Sequence, residues 1–387
     1  MTRPSRVAVA TTSRADFGIY RSVLAALHAR PELALSLIVS GMHLSPEFGE
    51  TISEVERAAY PIRDRVEILV SSDTPGGVAK SMGLALIGMA DAFSRERPDL
   101  LVVLGDRFEM HAVASAAVPF RVPLAHIHGG EETEGAIDNA FRHAISKMAQ
   151  LHFTATEQSA ARLRAMGEPA SRVFVSGAPA LDRLDDVTLL DRAALAEAFG
   201  TPDAPFLLVT YHPSTLDPAA TEAELDALLE VLEARSEPVV LTLANADMQG
   251  RTVNARLQAL ADAAPARVRA IGHMGPQGYF SAMRAALAMI GNSSSGILEA
   301  ASFGLPVLNI GDRQKGRERS ENVLDVEGTR SAILAGLERA LSPEVGRRAA
   351  AAPNIYHRGD AGQLIATEIV RFLEAGAPVA KRFAEVE

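Results

Sequence analysis

The 387-residue chain has no cysteine, which excludes disulfides, thiolate metal sites and cysteine nucleophiles. It also has no excess of positive charge. The formal net charge is −10, so a nucleic-acid or anionic-membrane surface is not expected. No stretch approaches the ~20 uninterrupted apolar residues of a membrane span. The opening M-T-R-P-S-R-V-A-V-A-T-T lacks the hydrophobic region of a secretory signal, and a cytoplasmic protein is the expectation. The phosphate-binding pattern G-x-x-x-x-G-K-[S/T] is missing, as are short-period repeats and low-complexity tracts.

What is present is an ordinary globular composition, with 48% hydrophobic and 22% charged residues, on a chain long enough for two domains. Short apolar runs alternate with amphipathic stretches throughout. Residues 6–10, 34–39, 66–70, 100–104, 123–127, 151–154 and 173–175 read as strands, with helical patterns at 20–29, 78–95, 109–118 and 139–150 between them. A second series follows at 207–210, 238–243, 268–271, 287–290 and 307–310. Continuous apolar runs in β-α order indicate parallel sheets covered on both faces. The expectation is α/β: two Rossmann-like, doubly wound domains facing a central cleft. Domain 1 is expected at 1–180 and domain 2 at 181–362, with the hinge near 177–190; the C-terminal helical segment at 363–387 fits either domain, packing back on domain 1 being one placement.

Open α/β sheets bind ligands beyond the C-terminal ends of their strands, and the polar loops of this chain fall there. After the first strand, T-T-S-R-A-D-F-G places Arg14 where the chain turns into a helix, either as a solvent-facing side chain or as an anion ligand. L-G-D-R-F-E-M places Asp106 and Arg107 at the fourth strand end, as an ion pair or as a carboxylate beside a phosphate-binding arginine. H-I-H-G-G-E-E-T-E-G-A-I-D gathers His126, His128, Glu131 and Asp138. No second cluster there has metal-ligand spacing, so acid/base chemistry is preferred and no metal is expected. V-T-Y-H-P-S-T and L-A-N-A-D-M place His212 and Asn245 after later strands, where turn-capping is the plain alternative. In G-N-S-S-S-G-I-L-E, Gly291 ends a strand, Ser293 and Ser294 follow, and Gly296 opens a helix, with Glu299 one turn on. Backbone N–H groups and hydroxyls in such a loop can hold a diphosphate. It does not match G-x-G-x-x-G, so nicotinamide and flavin cofactors are unsupported. I-G-D-R-Q-K-G-R-E-R supplies a basic island that includes Arg313.

Taken in order, S-R-A-D-F-G, G-M-H-L-S-P-E-F-G, A-K-S-M-G-L-A-L-I-G, L-G-D-R-F-E, H-I-H-G-G-E, I-D-N-A-F-R-H-A-I-S-K-M, G-N-S-S-S-G and G-D-R-Q-K-G-R resemble the hydrolysing UDP-N-acetylglucosamine 2-epimerases of bacterial sialic-acid synthesis, over residues 6–370. The resemblance implies a glycosyltransferase-like (GT-B) pair of Rossmann-like domains, a UDP-sugar substrate, no cofactor, and a homodimer or homotetramer. It implies loss of the sugar C2 proton with anti elimination of UDP. The resulting 2-acetamidoglucal is then hydrated to N-acetylmannosamine. By the same resemblance Ser293 and Ser294 bind the diphosphate and Glu299 the ribose. Arg14, Arg313 and His212 surround the phosphates, Arg107 supports the nucleotide or sugar, and Asn245 sits on the nucleotide side. Asp106, Glu131 and Asp138 are the acid/base candidates, with His128 standing where several members have a carboxylate. Gly18 stands where some members carry serine.

A close alternative is the same reaction on UDP-2,4-diacetamido-2,4,6-trideoxyglucose, which differs at C4 and C6; His43 is the residue expected near that difference. A GT-B glycosyltransferase would need an acceptor site, for which no signature is present. A non-catalytic nucleotide-sugar sensor would leave Asp106, Glu131 and Asp138 without a task.

Overall fold

A computed structural model describes residues 3–385 apart from 50, 71, 73, 135–136, 185–186, 214–217, 244–247 and 273. The chain divides into two compact units, Met1–Arg183 with Tyr356–Glu387, and Leu184–Ile355.

In unit 1 the strands are β1 (Ser5–Thr11), β2 (Leu33–Ser40), β3 (Ile62–Val66), β4 (Leu100–Leu104), β5 (Leu124–Ile127), β6 (Leu151–Thr154) and β7 (Val173–Val175). All pair in parallel, in the order β3-β2-β1-β4-β5-β6-β7. Alternation along each strand feeds two separate cores. Val7, Val9, Leu37 and Val102 meet Phe17, Tyr20 and Leu24 of the helix Arg14–His28, together with Ile365 and Ile369 of the last helix, Ala361–Glu374. Ala8, Ala10, Leu101 and Val103 meet Ala85, Met89 and Phe93 of the helix Pro75–Arg95 and Met110 and Val113 of the helix Phe108–Ala117. Side chains of period two, buried on both faces, are what turn these runs into interior strands.

The third strand corrects the sequence reading. The apolar run 66–70 adds no ladder beyond Val66; the paired strand is I-R-D-R-V. This is an edge strand, so one side needs no partner strand. Its buried Asp64 is neutralised by Arg63 at 2.6 Å and Arg95 at 2.7 Å, which holds its carboxyl below the ordinary range against the cost of burial.

Unit 2 repeats the design with β8 (Phe206–Thr210), β9 (Val239–Thr242), β10 (Val268–Ile271), β11 (Ala286–Gly291), β12 (Val307–Ile310) and β13 (Val323–Val326). The order is β10-β9-β8-β11-β12-β13, again parallel. Leu207, Val209, Leu241 and Ile290 face one core, and Phe206, Leu208, Val240 and Met289 the other. The edge strand V-L-D-V lies outside the strands read from the sequence. Its Asp325 accepts from Asn309 Nδ2 on β12 at 2.7 Å and from Arg319 Nε at 3.0 Å. In both sheets the strand order reverses between neighbours, at β1/β4 and at β8/β11. Loops that leave these switch points open a crevice suited to a ligand.

Candidate active site

In unit 1 the helix Asp138–Met148 organises the loops after β4 and β5. Asp138, Arg142 and Ser146 recur every four residues and so share one face. Arg142, itself buried, pairs through Nη2 with the Asp106 carboxylate, while its Nη1 donates to the Glu131 carbonyl at 2.9 Å. One guanidinium therefore fixes both candidate loops. Burial raises the Asp138 carboxyl above the ordinary carboxylate range. The Asp106 charge adds to that, against the opposing pull of Arg107 and Arg142. Arg107 lies flat against buried Glu109, with Nη2–Oε1 at 2.8 Å and Nε–Oε2 at 3.1 Å.

His128 and Glu131 meet through Nδ1 and Oε1, with His128 in the left-handed region at φ 62°. The H-G-G-E-E loop is further stapled from outside. Arg162 donates to the Gly130 carbonyl, and its Nε lies 3.4 Å from Glu132. Glu132 also meets His143 at 3.6 Å. Arg14 is mostly exposed, 3.1 Å from Glu54.

Two expected substrate contacts are placed elsewhere. His43 is fully buried, with Nε2 2.9 Å from Thr11 Oγ1 and Nδ1 2.8 Å from Thr51 Oγ1. Both nitrogens are occupied, so it supports the first loop and does not face a sugar. The same network holds buried Asp16, which accepts from Thr12 and Ser13 N–H at 2.9 and 3.0 Å.

His126 is also fully buried. Its Nε2 must donate to the Gly105 carbonyl at 2.8 Å, since a carbonyl only accepts, so Nδ1 accepts from Ser146 Oγ at 3.0 Å. This pins the residue before Asp106. Burial lowers His126 to about 3, only partly opposed by the Gly105 bond. Between that value and the ordinary ~6.5 the unfolded chain binds the proton and the folded chain does not, so stability is present above pH 6.5 and falls on acidification. Unfolding free energies from urea titrations between pH 7 and 4 should decline by up to about 1.4 kcal/mol per pH unit from this group, and His126→Gln should flatten the slope. An unchanged slope in that variant would show that other groups set the acid limit.

In unit 2, Gly291 ends β11 at φ 134°, directly opposite Thr210 at the end of β8. Asn292 then ties three loops together. Its side chain accepts from His212 N–H and donates to the His212 carbonyl, both at 2.8 Å. Its own carbonyl accepts from Arg313 Nη1 at 3.0 Å and Gln314 Nε2 at 2.9 Å. Ser293 caps the short helix Ser294–Leu298, and Tyr279 brings its hydroxyl to 3.2 Å from Thr210 Oγ1 and into hydrogen bonds with Ser293 and Ser295. Burial and the Glu299 charge push Tyr279 up to about 12, so it remains a proton donor at neutral pH.

Two details depart from expectation. The helix opens at Ser294, and Gly296 is buried within it, where a Cβ would stand 2.9 Å from Val307 Cγ1; this glycine serves packing on β12. A helix of one turn has little macrodipole, so anion affinity must come from side chains and loop N–H groups. In the basic island Arg319 is committed to Asp325 and to the Gln314 carbonyl at 2.9 Å. Asn245 lies outside the described residues.

The sequence reading missed Arg142, Glu109, Asp16, Asn292 and Tyr279. The i, i+4 spacing of Asp138, Arg142 and Ser146 was the available signal for the first. Among the described residues, no three His, Asp or Glu side chains gather as around a metal ion, and no helix is long and apolar enough to cross a membrane.

Two doubly wound parallel units with polar loops at both switch points define a protein of the Rossmann-like, GT-B-like class. The family profile described as UDP-N-acetylglucosamine 2-epimerase matches residues 25–370, and the chain belongs to that family. It is 40% identical over 324 residues to the GDP/UDP-N,N'-diacetylbacillosamine 2-epimerase (hydrolyzing) of Campylobacter jejuni, covering 83% of this chain and 84% of that protein. It is 36% identical over 338 residues to the UDP-N,N'-diacetylbacillosamine 2-epimerase (hydrolyzing) of Legionella pneumophila, covering 87% and 89%. Among solved structures, a putative UDP-N-acetylglucosamine 2-epimerase from Listeria monocytogenes shares the fold with a TM-score of 0.80 at 19% identity, covering 100% of both chains.

Proposed function

We propose that this chain is a hydrolysing UDP-sugar 2-epimerase, acting on a 2-acetamido sugar and releasing UDP and the free 2-epimer. The observation that carries the reading is the pair of carboxylates held by one helix: Asp106 locked to Arg142, and Asp138 shifted toward its protonated form beside it. Paired carboxylates in unequal environments divide acceptor and donor roles. Asp106 is fixed as an acceptor by a guanidinium, and Asp138 is the readier carrier of a proton. The C2 proton leaves to a base as the C1–O bond to UDP breaks. Water then adds at C1, and a proton returns to C2 from the opposite face. Glu131 with His128 is positioned to relay protons at the same loop.

The proposed grip on departing UDP is Ser293, Ser294, Tyr279 and Arg313, with His212 on the adjoining loop and Glu299 toward the ribose. A cation and hydroxyl donors aimed at a departing diphosphate stabilise the charge that develops on it. Arg14 and Arg107 are proposed to serve the substrate from unit 1.

For the sugar, both named relatives favour UDP-2,4-diacetamido-2,4,6-trideoxyglucose, the systematic form of UDP-N,N'-diacetylbacillosamine, with UDP-N-acetylglucosamine as the second candidate. Each sugar is incubated with the protein in D2O and followed by proton NMR. Free manno product deuterated at C2, with released UDP, is the expected result. A nucleotide-linked 2-epimer points to non-hydrolysing epimerisation. Failure of both sugars to turn over would sink the proposal.

A further inference from the structure

Residues 379–384 follow the last helix and lie beyond the stretch that the family profile matches. They form no helix or strand, yet they are fastened along their length. Gln150 Nε2 donates to the Val379 carbonyl at 3.1 Å, and Ala384 N–H donates to the Gly167 carbonyl at 2.9 Å. The Phe383 ring covers Gly167, and Lys147 Nζ stands 5.0 Å from its centroid. Between these points Lys381 turns inward, and its ammonium has three donors to place. They go to the Ala149 carbonyl at 2.7 Å, the Ser146 carbonyl at 3.3 Å and Glu168 Oε2 at 2.7 Å.

Two needs meet at that ammonium. The last carbonyls of a helix lack intrahelical partners, and a cation there complements the helix dipole; the helix is Asp138–Met148. Glu168, buried beside it, also takes donors from Lys147 of that helix at 2.7 Å and from His152 of β6 at 3.0 Å. Against burial, which raises it, the bonds from His152, Lys147 and Lys381 hold the Glu168 carboxyl down to about 2. A neutral side chain at 381 leaves the helix end short of a donor and that carboxylate short of a cation.

The same helix carries the proposed proton chemistry. Ser146 is held from two sides: its carbonyl accepts from Lys381, and its hydroxyl donates to His126 Nδ1 at 3.0 Å. His126 Nε2 donates to the carbonyl of Gly105 at 2.8 Å, the residue before Asp106. One turn earlier on the helix, Arg142 pairs with Asp106 itself. Lys381 stands outside the candidate site, but the series Lys381–Ser146–His126–Gly105 ends at the peptide that bears Asp106. Asp138 is about 12 Å along the helix from Ser146, so a shift at one end is carried to the other. Small misplacements of reacting groups cost rate.

We propose that Lys381 is a positioning residue for the reaction, holding Asp106 and Asp138 in register through Ser146. The inference rests on the proposed 2-epimerase reading. With rates taken per folded protein, Lys381→Met should lower kcat by about tenfold, leaving KM and UDP affinity within about twofold. Lys381→Arg, which keeps a cation with several donors, should recover kcat to within about threefold. Because Lys381 acts through Ser146, Lys381→Met with Ser146→Ala should be at most about twofold slower than the slower single variant; independent effects would multiply. Backbone-amide exchange needs no substrate: in Lys381→Met, residues 105–108 should exchange about tenfold faster while residues 35–39 of β2 keep their rate. An unaltered kcat in Lys381→Met overturns the proposal, as does failure of Lys381→Arg to recover it or a multiplicative double variant. If the original chain turns over neither sugar, the 2-epimerase reading fails by itself and exchange decides the link: selective quickening at 105–108 supports it. An unchanged rate there, or equal quickening in β2, overturns it.

Discussion

Asp106→Asn should lower turnover by about a thousandfold or more while leaving UDP affinity within about threefold, because it removes a proton acceptor without changing side-chain volume. The amide oxygen can still accept from Arg142, so the loop after β4 keeps its anchor. On the proposed roles, what is lost is the charge that receives a proton, together with the counter-charge to a buried guanidinium. On the proposal that the unit 2 loops grip UDP, its affinity, measured by titration calorimetry, should barely move. A second signature follows from Asp138. Its carboxyl is raised by burial first and by the Asp106 charge second. Removing that charge lowers the Asp138 pKa, so the alkaline limb of any residual activity that needs protonated Asp138 should move to lower pH. Near-normal turnover in Asp106→Asn would show that the assignment of proton chemistry to this pair is wrong. Arg142→Gln should resemble it in turnover but also lower stability, since the Glu131 carbonyl loses its donor.

Much of this was legible in the sequence, for reasons that can be stated. Strands buried on both faces, such as Leu100–Leu104 and Leu151–Thr154, appear as bounded apolar runs and were read to the residue. Edge strands were not. β3 carries R-D-R because ion pairs from its own chain neutralise the buried Asp64, and β13 is a short V-L-D-V whose aspartate closes the basic loop. Hydropathy cannot distinguish such segments from loops. Likewise, the placement of polar candidates at strand ends was legible, since Asp106, His128, Glu131 and Ser293 all follow strands. The supporting residues were not: Arg142, Glu109 and Asn292 acquire their roles only from tertiary partners. His43 and His126 failed in the opposite way. A histidine after a strand looks like a ligand, and only the threonine, serine and carbonyl partners reveal that both nitrogens are already engaged.

Gly291→Ala should be the most disruptive single-methyl change in unit 2, costing about 3 kcal/mol or more, because two independent penalties coincide. At φ 134° the backbone occupies a region open in practice to glycine alone. The added Cβ would also enter the carbonyl of Thr210 on the neighbouring central strand. A carbonyl within a paired strand cannot rotate away as a side chain can, so the strand ends themselves must separate. That displaces Asn292, and with it the bonds to His212, Arg313 and Gln314 that hold three loops in register. Urea unfolding should therefore show a lower midpoint, and the UDP affinity of the folded fraction should fall by at least about tenfold, on the proposal that this loop grips the diphosphate. Gly296→Ala provides the contrast. The one close approach of its Cβ is to a Val307 methyl at 2.9 Å, with Met289 Sδ at an ordinary 3.7 Å; a small rotamer adjustment can relieve it, so about 1 kcal/mol and near-normal UDP binding are expected. If the two variants bind UDP alike, the geometry of the loop after β11 is not what holds the nucleotide, and the grip must be sought in the cations of the loop after β12.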